Sequence, residues 1–588
     1  MTAETRFMND KQILRRLLEY AKGHYRYFIY CTLMMIVSVG LQLLIPFIFK
    51  TVLELLGEDT IDFQEVLYMI VALFLSLVVS TVVEYYQAII LQKTGQKIIY
   101  NVREDVFTSI QKFSISQVNE IPVGKLVTRV TSDTNTLNEM YTSVIINLLK
   151  NVLTIIGVII FMFLVNVELT LYTLIFAPIV LGISIIFRKT SRKAYRTVRQ
   201  NVSNMNAFLS ENFSGMKIIQ VFNQEEKKLN EFKVNNSNLR KSSIKEILVF
   251  SIFRPSIYVL YILSVIVVLW IGGNNAILGV AGFTYAVIFA FYQYIEMLFN
   301  PIQQLAEQFN ILQSAFASSE RIFEVLDKKS EIVEKEDAIE LDSIKGEIEF
   351  KNVWFSYIKD EWILKDVSFK VNAGDTVAFV GATGSGKTTI LSLIVRNYDI
   401  QKGQILIDGI DIKDIKISSL RRNIGQMLQD VFLFSGTISS NISLNEENIP
   451  LEDIKEAAHY VNADKFIEKL PEKYDYEVRE RGNNFSAGQR QLLSFARTVV
   501  HKPKIMILDE ATANIDTETE SLIQDSLEKM MNIGTMLIVA HRLSTIQHAN
   551  KIIVLQKGEI IEEGNHQDLL KNKGHYYKLY QLQYKEKH

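Results

Sequence analysis

A multidomain fold is predicted by three features of this 588-residue chain. Long uncharged apolar runs are confined to residues 1–310, basic residues gather in the long connections between them, and GATGSGKTTI (381–390) directly follows the strand-like TVAFV. Together they give a six-helix α-helical transmembrane domain with long intracellular helices, followed by an α/β P-loop nucleotide-binding domain. The expected boundaries are 1–325 for the transmembrane domain with its N-terminal surface helix, 326–340 for a linker and 341–588 for the α/β domain. Average composition conceals this split: 48% of residues are hydrophobic and the mean hydropathy is +0.13. A formal net charge of −2 supplies no basic field for nucleic acid. The single cysteine, Cys31, rules out an intrachain disulfide and reads as a small buried hydrophobe.

In chain order, TRFMNDKQILRRLLEYAKGHYRYF is charged and amphipathic and has no cleavable-signal pattern, so it reads as a helix on the cytoplasmic membrane surface. An ordinary soluble helix would look similar without the span that follows. Six apolar runs come next, at 28–45, 66–83, 152–165, 169–187, 256–272 and 283–299. A span needs roughly 20 predominantly apolar residues, which these runs reach with their flanking turns. Lys93, Lys97, Arg103 and Lys112 follow the second run and RKTSRKAYRTVRQ follows the fourth, whereas 50–65 holds Glu54, Glu58, Asp59 and Asp62. Positive residues stay inside, so the sequence reads as a multi-pass cell-membrane protein with both termini and the α/β domain in the cytoplasm. The two inner connections are long and helix-forming. Their turning points fall in FSISQVNEIPVGKLVTRVTSD and SENFSGMKIIQVFNQEE, either as surfaces for another domain or as simple punctuation by Gly124 and Gly215.

Gly381, Gly386, Lys387 and Thr388 satisfy the pattern G-x-x-x-x-G-K-[ST] between a strand and a helix. Such a loop turns successive backbone N–H groups toward a polyphosphate, and the following helix adds its positive end. The segment Gly381–Thr389, with Thr383, Gly384, Ser385 and Thr389 beside the pattern residues, is therefore the candidate nucleotide-phosphate site. Lys387 brings a mobile charge to the outer phosphates, and the Thr388 hydroxyl is a ligand for Mg²⁺. KIMILDE supplies a buried strand ending in two acids: Asp509 for the metal shell and Glu510 for the attacking water. Gln429 is a candidate sensor of metal and water, and His541, just past another apolar strand, is a candidate γ-phosphate contact. Tyr357 in VWFSY is either a ring for adenine or a half-buried strand residue.

NFSAGQRQLLSFARTVV precedes Asp509, and with the loop, Gln429, LDEATANID and IVAHRLST it resembles the nucleotide-binding domain of ATP-binding cassette (ABC) transporters. The six runs ahead of it resemble the exporter-type half-transporter, so the resemblance covers essentially the whole chain. It implies two cassettes dimerised head to tail, each ATP lying between one chain's phosphate loop and the other's signature motif. It also implies that Tyr357 stacks on adenine, Gln429 contacts Mg²⁺ and water, Glu510 is the catalytic base and His541 supports the γ-phosphate. Ser486, Gly488 and Gln489 would face ATP bound mainly by the partner. This chain departs from the usual signature: Phe485 replaces Leu, Ala487 replaces the first Gly, Leu492 replaces a common arginine, and Asn514 replaces a common serine. With Glu510 and His541 intact, the departures resemble the consensus-Walker-acid subunit of heterodimeric bacterial multidrug exporters. The expected partner is a different half-transporter with a degenerate Walker acid.

The substrate is less legible. Gln293, Glu296, Asn300 and Gln303 recur at helical spacing and share one face, and Glu84 and Gln87 end the second apolar run. The stripe reads either as a path for cationic amphiphiles or as helix-packing polar contacts. ATP-driven export of hydrophobic or amphiphilic small molecules is expected, with a lipid or peptide exporter or flippase, or an ATP-gated channel or regulatory membrane ATPase, as alternatives.

Overall fold

The computed structural model describes residues 8–57, 62–427, 430–509, 517–539 and 546–585. The chain forms two compact units, one made of Met1–Lys112 with Pro122–Lys329 and the other of Phe113–Ile121 with Ser330–His588.

The first unit is helical throughout. The amphipathic helix Asp10–Ala21 buries Ile13, Leu17 and Ala21. It leads through a 3₁₀ turn, Lys22–His24, into Tyr25–Leu56. Among the described residues, five helical runs are long and apolar enough to cross a membrane: Asp10–Leu56, Phe63–Gln111, Val123–Val165, Val167–Ser214 and Glu225–Ile277. The sixth expected span lies in Tyr285–Asp327, where Gln293, Glu296 and Asn300 interrupt the apolar stretch. At 1.5 Å per residue, the 53-residue helix Glu225–Ile277 is about 80 Å long, far more than a ~30 Å hydrocarbon core requires. The long helices therefore continue well beyond the membrane.

Local chemistry fixes where the helices begin and turn. Asp62 caps Phe63–Gln111 by accepting from the Gln64 N–H (2.8 Å). Asn166 accepts from the Leu169 N–H (3.0 Å) and separates two spans by a single residue. The first inner connection turns through Ile115–Glu120, capped by Ser114 and stopped before Pro122. Gly124 sits inside the next helix, so proline rather than glycine punctuates this turn, because proline disfavours helical backbone in the residue ahead of it. Gly215 does end its helix, and Met216–Val221 forms the second turn.

The packed faces of Tyr25–Leu56, Val123–Val165 and Tyr285–Asp327 meet around Phe291, Tyr294 and Ile295, with the Tyr294 hydroxyl donating to the Leu43 carbonyl (3.0 Å). Glu296 and Asn300 lie on the opposite, exposed face with Gln293 at its margin, as their spacing predicts. Glu84 accepts from Lys150 (2.6 Å), Gln42 (2.9 Å) and Ser38 (3.0 Å), tying three spanning helices with one carboxylate. Farther along, a π-helical turn, Arg129–Asp133, presents buried Asp133 to Arg129, Ser318 and Arg321.

The second unit contains twelve strands among its described residues: β1 (Ile348–Phe355), β2 (Leu364–Val371), β3 (Thr376–Val380), β4 (Lys402–Ile407), β5 (Ile410–Asp411), β6 (Ile424–Met427), β7 (Gly436–Thr437), β8 (Glu477–Val478), β9 (Ile505–Asp509), β10 (Thr535–Val539), β11 (Lys551–Gln556) and β12 (Glu559–Gly564). An antiparallel sheet runs β2-β1-β4-β5, and a six-stranded sheet runs β12-β11-β3-β10-β9-β6. Strands β11, β3, β10, β9 and β6 are mutually parallel, and β12 closes the edge antiparallel. The continuous apolar runs TVAFV and TMLIV are buried on both faces, as inner strands of a parallel sheet require. Ser330 onward belongs to this unit, with Ile332 and Ala338 buried.

Candidate functional site

The phosphate loop begins where β3 ends and closes where the helix Lys387–Ile394 begins. A Cβ at Gly381 would stand 2.2 Å from the Leu555 carbonyl oxygen of β11, so only glycine lets the chain leave the sheet there. Gly386 caps the helix at φ +104°, and a Cβ on it would meet Leu364 at 2.6 Å. Close approach and positive φ require both glycines, and between them the Ser385 N–H donates to the Ala382 carbonyl (3.1 Å), which tightens the loop. Ser385 is buried and its hydroxyl has no hydrogen-bond partner, as expected of a group that completes its bonding with a phosphate oxygen.

Lys387 is only 6% exposed, and its ammonium donates to the carbonyls of Gly381 (2.8 Å) and Ala382 (3.1 Å). Burial pushes its pKa below the ordinary lysine value, and the negative charge of Asp509 opposes the shift. A buried ammonium coiled over its own loop, with the Asp509 carboxylate acting on it, suits a multiply charged anion. Thr388 is exposed on the first turn of the helix, and Thr389 is buried behind it.

The order β3-β10-β9-β6 brings the C-terminal ends of four parallel strands to one edge, where ligands of open α/β sheets bind. Asp509 is the last residue of β9, half-buried. Glu510 is its neighbour in the chain, His541 lies two residues past β10, and Gln429 two residues past β6. These three lie outside the described residues. So does Asn514.

Tyr357 follows the end of β1 and is half-exposed. Its ring stands edge-on to Phe355 (4.8 Å) and Tyr398 (5.1 Å), and its hydroxyl bonds to Thr389 (3.1 Å). Burial raises its phenol pKa, against the hydrogen bond with Thr389. A reciprocal amide pair, Ser356 N–H to Gln401 and Gln401 to the Ser356 carbonyl (both 3.0 Å), fixes the backbone just before it. A cavity of about 610 Å³ opens beside this ring, lined by Tyr357, Tyr398 and Gln401 and by Ser114, Asn119 and Glu120 of the first inner turn. Ser116 of that turn also donates to Glu331.

Ser486, Gly488 and Gln489 stand at the start of the helix Ala487–Val500, whose core face packs with a different cluster from that of the phosphate-loop helix. The Ser486 hydroxyl accepts from the Gln489 N–H (3.2 Å), and the Gln489 side chain accepts from the Ser486 N–H (2.9 Å), a capping box. Phe485 is buried against Phe466 and Tyr476, and Leu492 is buried in the same core. Two of the four departures from the usual pattern thus serve packing, whereas Ala487 is exposed.

The structure thus brings Tyr357, the loop and Asp509 together, and places the signature residues on a helix that packs in a different cluster from the phosphate-loop helix. Sequence reading missed Tyr398, Gln401 and Arg497. Arg497 donates to the carbonyls of Phe432 (3.0 Å) and Asn441 (2.8 Å), holding the segment downstream of Gln429. No local motif marks these three, because each is defined by a partner distant in sequence.

Residues 28–302 match the family model described as ABC transporter transmembrane region, and residues 364–513 match that described as ABC transporter. A Bacillus subtilis protein, "Probable multidrug resistance ABC transporter ATP-binding/permease protein YheH", is 39% identical over 87% of this chain and 76% of its own length. The ATP-dependent lipid A-core flippase of Syntrophus aciditrophicus is 34% identical over 98% of this chain and 95% of its own. The solved structure of a bacterial Atm1-family ABC exporter with ATP bound is similar at a TM-score of 0.80 and 26% identity, covering 95% of this chain and 99% of that one.

Proposed function

We propose, from the premise that this chain belongs to the ABC transporter family, that it is one half of a dimer exporting hydrophobic or amphiphilic compounds across the cell membrane. It is a multi-pass membrane protein that binds ATP and couples ATP hydrolysis to transport. The observation that carries the proposal is the phosphate loop at the parallel-sheet edge, with Asp509 acting on Lys387, in a chain whose other unit is a set of long spanning helices.

In this reading the loop N–H groups, Ser385 and Lys387 hold the triphosphate, and Tyr357 stacks on adenine. Thr388, Asp509 and Gln429 would hold Mg²⁺, which neutralises phosphate charge. Glu510 takes the proton of the attacking water, and His541 steadies the γ-phosphate. Ser486, Gly488 and Gln489 face the nucleotide held by the second chain. The division is 1–325 for translocation, 326–340 for the link and 341–588 for the cassette, with both termini and the cassette in the cytoplasm.

A chain with one phosphate loop and one signature segment needs a second chain to complete each ATP site. The second inner turn supports this: Phe213, Ile218, Val221 and Phe222 stand between 65% and 68% exposed, an apolar tip suited to another cassette. The altered signature favours a different half-transporter as that partner. ATP bound across the two cassettes favours the closed state, and hydrolysis releases it. The exposed Glu296–Asn300 face of the sixth helix then lines the path, since a carboxylate facing lipid is costly.

Export is tested by ATP-dependent uptake of a hydrophobic cationic dye into inside-out vesicles, with Glu510→Gln as the comparison. The variant is expected to bind ATP and show no uptake, and uptake equal to wild type would refute Glu510 as the base. A lipid substrate is the second reading, favoured by the 34% identity to a flippase, and headgroup-labelled lipid in the same vesicles separates the two. Native mass of the tagged chain from its own membrane decides between a second, different protein and two copies of this one.

A further inference from the structure

The N-terminal helix Asp10–Ala21 carries one wide apolar arc, of which Ile13, Leu17 and Ala21 are buried. Its inner face is pinned, with the Leu17 carbonyl accepting from the Tyr141 hydroxyl (2.6 Å) and Arg16 gripping Asp327 through two hydrogen bonds (2.6 and 2.9 Å). At the edge of the same arc Leu14 and Leu18 remain 46% and 59% exposed. They do not look onto a flat surface. They line an open groove of about 780 Å³, shared with Tyr25, Ile29, Ile145 and Leu149. Lys11, Arg15 and Lys22 stand along its border, with Glu19 as the one acid there.

We propose that this groove is a binding site for one anionic phospholipid. The acyl chain would lie along Leu14, Leu18, Ile29 and Leu149, and the phosphate would meet Lys11, Arg15 and Lys22. The groove has the volume of a small-molecule site and stays open along one side, which suits an acyl chain laid along it. Apart from the charged border and Thr32 the lining is aliphatic or aromatic, so it rejects a soluble polar anion. The rim carries a net positive charge, because Glu19 offsets only Arg15, with which it pairs at 3.4 Å. A zwitterionic lipid would fill the groove equally well but would gain less from the rim. The position favours a lipid occupant, since an amphipathic helix joined to the first span by a three-residue turn lies at the membrane interface, where lipid headgroups and basic residues meet. Neither the phosphate loop nor the proposed translocation face contributes a lining residue to this site.

The test uses the full-length transporter, delipidated in detergent and followed by native mass spectrometry as phosphatidylglycerol or phosphatidylcholine with the same acyl chains is added. One retained phosphatidylglycerol per chain is expected at concentrations where phosphatidylcholine is washed away. The triple variant Lys11→Gln, Arg15→Gln, Lys22→Gln should retain it roughly 10-fold or more weakly. Leu149→Trp should lose it too, by filling the groove while leaving every charge in place. Equal retention of the two lipids by the wild type overturns the proposal, and that comparison stands even if a variant fails to fold. Wild-type retention by either folded variant overturns it as well.

Discussion

Lys387 and Phe485 illustrate what single residues decide here. Among the described residues the buried Lys387 ammonium donates to two carbonyls of its own loop, so removing it is expected to leave the fold intact and to take away the charge a triphosphate would meet. Lys387→Ala is expected to lower ATP hydrolysis by at least about 100-fold, measured as phosphate release, with the helical content unchanged. Phe485 occupies a position where leucine is usual, and 6% exposure between Phe466 and Tyr476 shows that it has become a core residue. Phe485→Ala should cost about 3–5 kcal/mol by opening a cavity, and Phe485→Leu about 1 kcal/mol. Thermal unfolding of the solubilised protein with and without ATP checks both, and a neutral alanine variant would mean that the ring is dispensable to the helical core.

At the scale of elements, polar links between helices carry the specificity that apolar packing cannot. Glu84 joins Tyr25–Leu56, Phe63–Gln111 and the helix bearing Lys150 through one carboxylate oxygen. Removing one partner strands the other charge in an apolar wall, whereas removing both does not. Glu84→Gln and Lys150→Met are each expected to destabilise the helical unit by about 1–3 kcal/mol, with a substantial part regained in the double variant. Additive losses in that cycle would show that the pair is incidental. Asp133 plays the same part nearer the end of the sixth helix, where Arg321 and Ser318 meet a π-helical turn from another segment. Neither link was legible beforehand: Glu84 was visible in the sequence as an acid at the end of a span, but nothing local names Lys150, 66 residues away. The phosphate loop, by contrast, was legible to the residue, because its chemistry is written in consecutive positions.

For the whole molecule, the decisive feature is incompleteness. The signature helix and the phosphate-loop helix of one chain pack in different clusters, and among the described residues the second inner turn offers an exposed apolar tip. Val221→Asp with Phe222→Asp is expected to leave ATP binding unchanged and to lower vesicle uptake by about 10-fold or more, because a charged tip no longer docks against an apolar surface. Unchanged uptake would mean that the tip does not carry the coupling between hydrolysis and transport. The first inner turn differs, since Phe113–Ile121 already belongs to the compact unit that contains the phosphate loop. That asymmetry between two similar-looking connections was invisible in their composition.

By itself the sequence determined the spanning runs, the strands of the parallel sheet, the phosphate loop and the order of the motifs behind it. Each of these is set by short-range periodicity or by glycine and lysine at fixed spacing. Tertiary structure decided the rest: the Glu84–Lys150 and Asp133–Arg321 links, the role of Phe485 as core, the placement of Tyr398 and Gln401 beside Tyr357, and the groove under the N-terminal helix. Those features depend on which distant segments are brought within a few ångströms of one another. That is a property of the packed chain, which no local window of residues encodes.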